Sequence, residues 1–241
     1  IFIGDSVLFG SGVDEQKTFV GKLREIDNDT LVVNAAIIGN DITEILTDIK
    51  KNYELFNASN FFIVLTLDDI MGNNEINNVV EKNETRTNLI KKLKKNNFLN
   101  KINIFLRSKS YTYVWIKGIT TKPSDRYFLE SFSYYNNEKV INFFNNKIDE
   151  INKIKELNKI NMTFIILPYE YQIRNQCINK FLLPQKKIIK ILEEKKITYI
   201  DLTKEFCNHK NAKKLYLNFD PVHLSIKGHD LVFRSIKKEF D

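Results

Sequence analysis

Apolar residues recur along this chain in two rhythms, and the rhythms alternate. Short unbroken runs have the length and the β-branched or aromatic content of strands buried on both faces. They are Ile1-Phe2-Ile3, Leu31-Val32-Val33, Phe61-Phe62-Ile63-Val64-Leu65, Met162 to Leu167 (ended by Pro168) and Ile197 to Leu202. Between them, apolar residues fall three and four apart, as on one face of a helix. Such stripes are Phe19, Val20, Leu23 and Ile26; Ile42, Ile45, Leu46, Ile49 and Tyr53; and Val140, Ile141, Phe144, Ile148 and Ile151. Ile188 to Leu192 is also helical, and a last helix is expected from about Ser225 to Glu239. Asp41-Ile42-Thr43-Glu44 has the form of a capping box, Asp41 as N-cap and Glu44 three residues on. Strand and helix in alternation predict an α/β fold with a parallel sheet of five strands and right-handed crossovers.

The rhythm breaks between Ile70 and about Asn137, a stretch too long for one crossover, which predicts a helical insertion after the third strand over about 70–137. It contains a Lys/Asn-rich helix from Val79 to Lys95. An aromatic-basic stretch follows: Phe105, Arg107, Tyr111, Tyr113, Trp115 and Lys117, then Tyr127, Phe128, Phe132, Tyr134 and Tyr135. These aromatics form either a stacking surface for sugar rings or helix faces packed on the core. No repeat and no second domain are visible, so 1–241 reads as one domain with an insertion.

Composition narrows the picture only slightly. A chain of 241 residues, 43% hydrophobic and 28% charged, is enough for one α/β domain with a substantial core. The formal net charge is +7. Most lysines sit beside acids on amphipathic helices, as Lys186-Lys187 do with Glu193-Glu194, which reads as a solvated surface and not as a nucleic-acid face. Cys177 and Cys207 form no metal-binding spacing and read as isolated thiols. No apolar run reaches the roughly 18–20 residues of a membrane span. The chain begins inside a predicted strand without a Met, so a preceding segment, and with it an extracytoplasmic or cell-envelope location, is expected.

The chemistry lies at the two ends. Gly4-Asp5-Ser6 follows the first strand, where a tight strand-to-helix turn can expose a hydroxyl and aim backbone N–H groups at a substrate oxygen. Asp220-Pro221-Val222-His223 precedes the last helix. A serine hydroxyl needs a base to act as a nucleophile near neutral pH, and an imidazole, with its ordinary pKa of about 6.5, suits that task. Asp220, three residues before His223, can reach the ring on a tight turn and fix its tautomer. The other two histidines fit less well. His229 belongs to the last helix as a capping or packing residue, and His209 lies in a polar loop. Ser6, Gly39, Thr66–Asp69, Tyr169 and His223 all gather at the carboxyl edge of the sheet, where sites in parallel sheets form.

Gly4-Asp5-Ser6 first and Asp220-x-x-His223 last resemble the SGNH, or GDSL-type, hydrolase family over the whole chain apart from the insertion. The resemblance implies a three-layer α/β/α sandwich of flavodoxin-like order and a Ser6-His223-Asp220 catalytic set. It also implies an oxyanion hole built from the Ser6 and Gly39 N–H groups, Gly39 being the glycine after the second strand in Asn34-Ala35-Ala36-Ile37-Ile38-Gly39. The family's third block, Gly-x-Asn-Asp, supplies an Asn donor. Here it reads Thr66-Leu67-Asp68-Asp69, so Asp68 replaces the asparagine. An ionised Asp has nothing to donate to an oxyanion. Three outcomes are open: a protonated, donating Asp68; a substitute amide from Asn40, Asn73 or Asn74; or weak catalysis.

Gly10-Ser11-Gly12-Val13 with Thr18-Phe19, Pro168 with Gln172, and Asp201-Leu202 are similar to SGNH proteins associated with bacterial cell-surface polysaccharides. The resemblance thus implies a serine esterase that removes acetyl or another short acyl group from a saccharide or other small ester. The alternatives are a saccharide O-acyltransferase using the same residues, or a saccharide-binding protein without turnover. No cofactor or metal is implied, because serine acyl transfer needs none.

Overall fold

Apolar runs form β1 (Phe2–Ile3), β2 (Asn60–Leu65) and β3 (Asn161–Ile166), and the sheet ends on the less buried β4 (Thr198–Asp201). In this computed structural model the described residues are 1–26, 30–72, 101, 105–106, 108–110, 112–113, 122–211 and 214–240. All four strands pair in parallel, in the order β1-β2-β3-β4. The register sets Phe2 beside Phe62, Phe62 beside Thr163, and Thr163 beside Thr198. Ile3, Phe61, Ile63, Val64, Leu65, Phe164, Ile165 and Ile166 are fully buried, as an all-parallel sheet covered on both faces requires.

The helices of the larger unit are α1 (Ser6–Phe9), α2 (Phe19–Ile26), α3 (Ile42–Phe56), α4 (Pro123–Tyr134), α5 (Glu138–Asn158), α6 (Glu170–Arg174), α7 (Leu183–Glu194), α8 (Thr203–Cys207) and α9 (Ile226–Ile236). They sort into two layers: α3, α5 and α7 touch in series, and α9 touches α2 and α8. α5 buries Val140, Phe144, Ile148, Ile151 and Ile154, and α7 buries Ile188, Ile191 and Leu192. The capping box at α3 is present, with the Thr43 N–H on Asp41 Oδ1 at 2.8 Å and the Asp41 N–H on Glu44 Oε2 at 3.0 Å.

Two sequence expectations are corrected. Leu31-Val32-Val33 is not a regular strand, so the described sheet has four strands and not five. The chain does run beside β1 on the side away from β2, where Phe2 donates to Val33 O (2.8 Å), Ala35 to Phe2 O (2.9 Å) and Ile37 to Gly4 O (3.1 Å). The pairing amounts to a single parallel bridge, Phe2 to Asn34. β1 is two residues long and offers no more edge than that. Nor are the cysteines isolated: Cys177 and Cys207 form a disulfide, with Cα atoms 5.9 Å apart. β3 and β4 are neighbours, and the segments leaving them run side by side.

The chain divides into a unit of 1–72 with 124–241 and a second unit of 73–123. In the second, the Ser110 N–H donates to Leu106 O at 2.9 Å, a helical turn. The helix expected over Val79–Lys95, together with Arg107, Tyr111, Trp115 and Lys117, lies outside the described residues. Further on, Phe128 and Tyr134 of α4 are buried. Phe128 is buried against Phe132, Tyr171 and Phe181, and the buried Tyr135 donates its hydroxyl to Leu67 O at 2.9 Å.

Candidate active site

The chain leaves β1 through Gly4, which packs so closely on β2 that a Cβ there would stand 2.8 Å from Val64 O. Only glycine permits that approach. Asp5 then caps α1, its Oδ1 accepting the Val7 N–H at 2.9 Å, and Ser6 becomes the first helical residue. At the other end of the chain, Asp220 folds its own loop. Oδ1 accepts the N–H groups of Val222 (2.9 Å) and His223 (2.7 Å). The loop is pinned to the segment after β3, with the Tyr216 hydroxyl on Pro168 O (2.8 Å) and the Glu170 N–H on Pro221 O (3.0 Å). Behind it, α9 begins at Ser225 and comes so near that a Cβ on Gly228 would meet Leu215 O at 2.1 Å.

These two ends meet. His223 Nε2 lies 2.9 Å from Ser6 Oγ, and Nδ1 lies 2.8 Å from Asp220 Oδ2. With the ring proton on Nδ1, the imidazole donates to Asp220 and accepts from the serine hydroxyl. Ser6 Oγ also has Asp5 Oδ2 at 3.3 Å. The bond to Asp220, with the further attraction of Asp220, Asp5 and Asp68, outweighs burial and raises the His223 pKa above its ordinary value. Burial pushes Asp220 upward, but the hydrogen bonds from His223 and from the Val222 N–H prevail and leave it below the usual carboxylate range.

Asp68 sits just beyond β2, inside a ring of hydroxyls. Oδ1 accepts from Thr66 Oγ1 (2.9 Å) and from the Tyr169 hydroxyl, and Oδ2 accepts from the Tyr127 hydroxyl (2.6 Å). The neighbouring Asp69 is buried and accepts from the Thr66 N–H at 2.6 Å. Burial first, then the charges of Asp5 and Asp68, push the Asp69 carboxyl well up. Asp5 is raised chiefly by burial, with Asp68 adding to it. Gly39 lies on an exposed loop two residues past Ile37, whose N–H donates to Gly4 O, at φ +86°, the left-handed region that favours glycine. Of the amides considered as substitutes for the missing donor, Asn40 is turned away onto Asp48 Oδ2 at 2.5 Å. Asn73 and Asn74 lie outside the described residues.

His229 is fully buried, stacked on Phe19 and accepting the Phe19 N–H at Nδ1 (3.4 Å); burial and the nearby Lys22 lower its pKa to about 4. His209 stays in its polar loop, Nδ1 3.3 Å from the Asn211 N–H. Sequence reasoning missed the tyrosine grip on Asp68. Tyr169 carried a signal, its place directly after the β3 segment, whereas Tyr127 had none beyond belonging to an aromatic-rich stretch. Among the described residues no group of three or more His, Cys, Asp or Glu side chains could hold a metal ion, and no helix is long and apolar enough to cross a membrane.

No protein-family model matches the sequence, and no curated protein matches it. Solved structures do. A member of the lipolytic protein G-D-S-L family from Veillonella parvula is 13% identical with a TM-score of 0.54, covering 99% of this chain and 96% of that one. An acetylxylan esterase from Geobacillus stearothermophilus is 14% identical with a TM-score of 0.55, covering 99% and 91%. An α/β-hydrolase enzyme from the metagenome of Lake Arreo is 10% identical with a TM-score of 0.58, covering 98% and 92%. The chain therefore has the α/β/α fold found in GDSL, or SGNH, proteins over essentially its whole length.

Proposed function

We propose that the chain is a serine esterase that removes acetyl or another short acyl group from a saccharide. The observation that carries this reading is the unbroken line from Ser6 Oγ to His223 Nε2 and from His223 Nδ1 to Asp220. Ser6 attacks the ester carbonyl as His223 takes its proton, and the imidazolium is held by Asp220. His223 returns that proton to the departing alkoxide, leaving an acyl-serine, and then draws a proton from water to release the acid. The Ser6 and Gly39 N–H groups receive the oxyanion. The saccharide enters by the likeness to an acetylxylan esterase and by the motifs shared with polysaccharide-associated SGNH proteins. Asp68 is the observation that favours a second reading, a saccharide-binding protein without turnover.

Hydrolysis of p-nitrophenyl acetate separates the two. The esterase reading expects wild-type turnover that falls by about 10³-fold or more in both Ser6→Ala and His223→Ala. Equal background rates in all three proteins, with retained binding of acetylated oligosaccharide, would instead support the second reading.

A further inference from the structure

We propose that the Tyr127 hydroxyl, 2.6 Å from Asp68 Oδ2, is the side-chain donor to the acyl oxyanion, in place of the amide that position 68 lacks. The inference rests on the esterase reading above and extends its oxyanion hole by one residue.

A carboxylate can only accept, and Asp68 gathers three hydroxyls, of which the Thr66 one is shared with Asp69 Oδ2 at 3.0 Å. Two of them are committed. Thr66 and Tyr169 are 2% and 1% exposed and both serve Oδ1 from the protein side. Tyr127 differs in each respect: it comes from α4 and not from a sheet edge, it serves Oδ2 alone, and it is half-buried. β1 and β2 are paired neighbours with Ile3 beside Ile63, so the turn that carries Asp5 and Ser6 and the turn that carries Asp68 leave the same edge of the sheet next to one another.

A phenol proton turns about the Cζ–O bond. Swinging it from Asp68 Oδ2 onto the oxygen of a tetrahedral intermediate exchanges the bond to the carboxylate for one to the oxyanion. Asp68 meanwhile keeps its bonds from Thr66 and Tyr169. The proton stays on the tyrosine throughout, because burial and the surrounding carboxylates hold the Tyr127 pKa far above its usual value. No covalent bond is made or broken in this step. Donation occurs only when the oxyanion exists, so it acts on the transition state and leaves ground-state binding alone.

The test uses the full chain as wild type, Tyr127→Phe, Asp68→Asn and the double variant. Two readouts are taken: steady-state hydrolysis of p-nitrophenyl acetate, and the rate at which a p-nitrophenyl alkylphosphonate modifies Ser6, followed by mass spectrometry. Tyr127→Phe is expected to lower kcat and the labelling rate by about 100-fold with KM and melting temperature nearly unchanged. In the Asp68→Asn background, where the new amide donates, the same change should cost less than about tenfold. Labelling of Ser6 at equal rates in wild type and Tyr127→Phe overturns the inference alone. So does a loss of equal size in both backgrounds accompanied by a lower melting temperature, which marks a structural role. A wild-type Ser6 that neither turns over ester nor takes the phosphonate overturns the esterase reading and this inference with it.

Discussion

In the proposed esterase, Asp68 would place a carboxylate beside the acyl oxygen as that oxygen gathers negative charge. Two unit charges about 4 Å apart at an effective dielectric near 20 repel by roughly 4 kcal/mol, and one oxyanion donor is worth about 3–4 kcal/mol. Asp68→Asn removes the repulsion and restores a donor, while its carbonyl oxygen still accepts from the hydroxyls around it. We expect a rise in kcat/KM for p-nitrophenyl acetate of about tenfold or more. The same substitution changes the pH profile. His223 acts as a base only when neutral, and Asp220, Asp5 and Asp68 all raise its pKa, so the wild-type rate should fall away on the acid side with a midpoint above about 6.5. Without the charge of Asp68 that midpoint moves down. An unchanged rate and an unchanged midpoint would show that position 68 lies too far from the reacting atoms to matter. Ser6, His223 and Asp220 were legible from sequence because their chemistry is local: a turn after a strand, and an Asp three residues before a His. The Tyr127–Asp68 contact was not, because it joins residues 59 positions apart through the packing of α4.

At the scale of elements, α9 carries its own titration. His229 faces Phe19 of α2, and its Nε2 has no hydrogen-bond partner among the described residues. Its folded pKa of about 4 lies below the unfolded value near 6.5. The unfolded chain therefore binds the extra proton first, and the neutral ring's contribution, complete above pH 6.5, drains away as pH falls toward 4, by about 3 kcal/mol in all. Denaturant unfolding of wild type and His229→Gln at pH 7 and pH 4.5 isolates this term from the buried Asp5 and Asp69, whose raised pKa values act in the opposite sense. The variant should lose distinctly less stability on acidification, and parallel losses would refute the assignment. The packing role of His229 could be read from its place on an apolar helix face. So could β2, β3 and the capping box at Asp41, since each depends on a short window of sequence. Leu31-Val32-Val33 read as a strand for the same reason, yet a strand needs an edge to pair with, and the length of β1 is not written in that window.

For the whole molecule, the disulfide is the largest departure from what the sequence suggested. Two cysteines with 30 residues of separation carry no pairing signal; the pairing follows from β3 and β4 being neighbours. Closing a loop of that size stabilises a fold by about 3–4 kcal/mol, chiefly by restricting the unfolded chain. The bond ties the segment that carries Tyr169 and Glu170 to α8, and Glu170 in turn holds the Asp220 loop through Pro221. Reduction, or Cys177→Ala with Cys207→Ala, should lower the melting temperature by roughly 6–12 °C, read by calorimetry with and without reductant. No shift would mean the loop is already constrained when unfolded. A bond of this kind persists where the surroundings are oxidising.

Ser6 and His223 stand 217 positions apart in the chain and 2.9 Å apart in space. During synthesis the nucleophile leaves the ribosome among the first of these residues and its base among the last. A fragment that stops short of His223 holds the serine without the imidazole, so the contact between them forms only once the Asp220 loop settles on the segment after β3. In the proposed esterase, turnover would report that the Asp220 loop has reached its place, and would be lost when that contact comes apart.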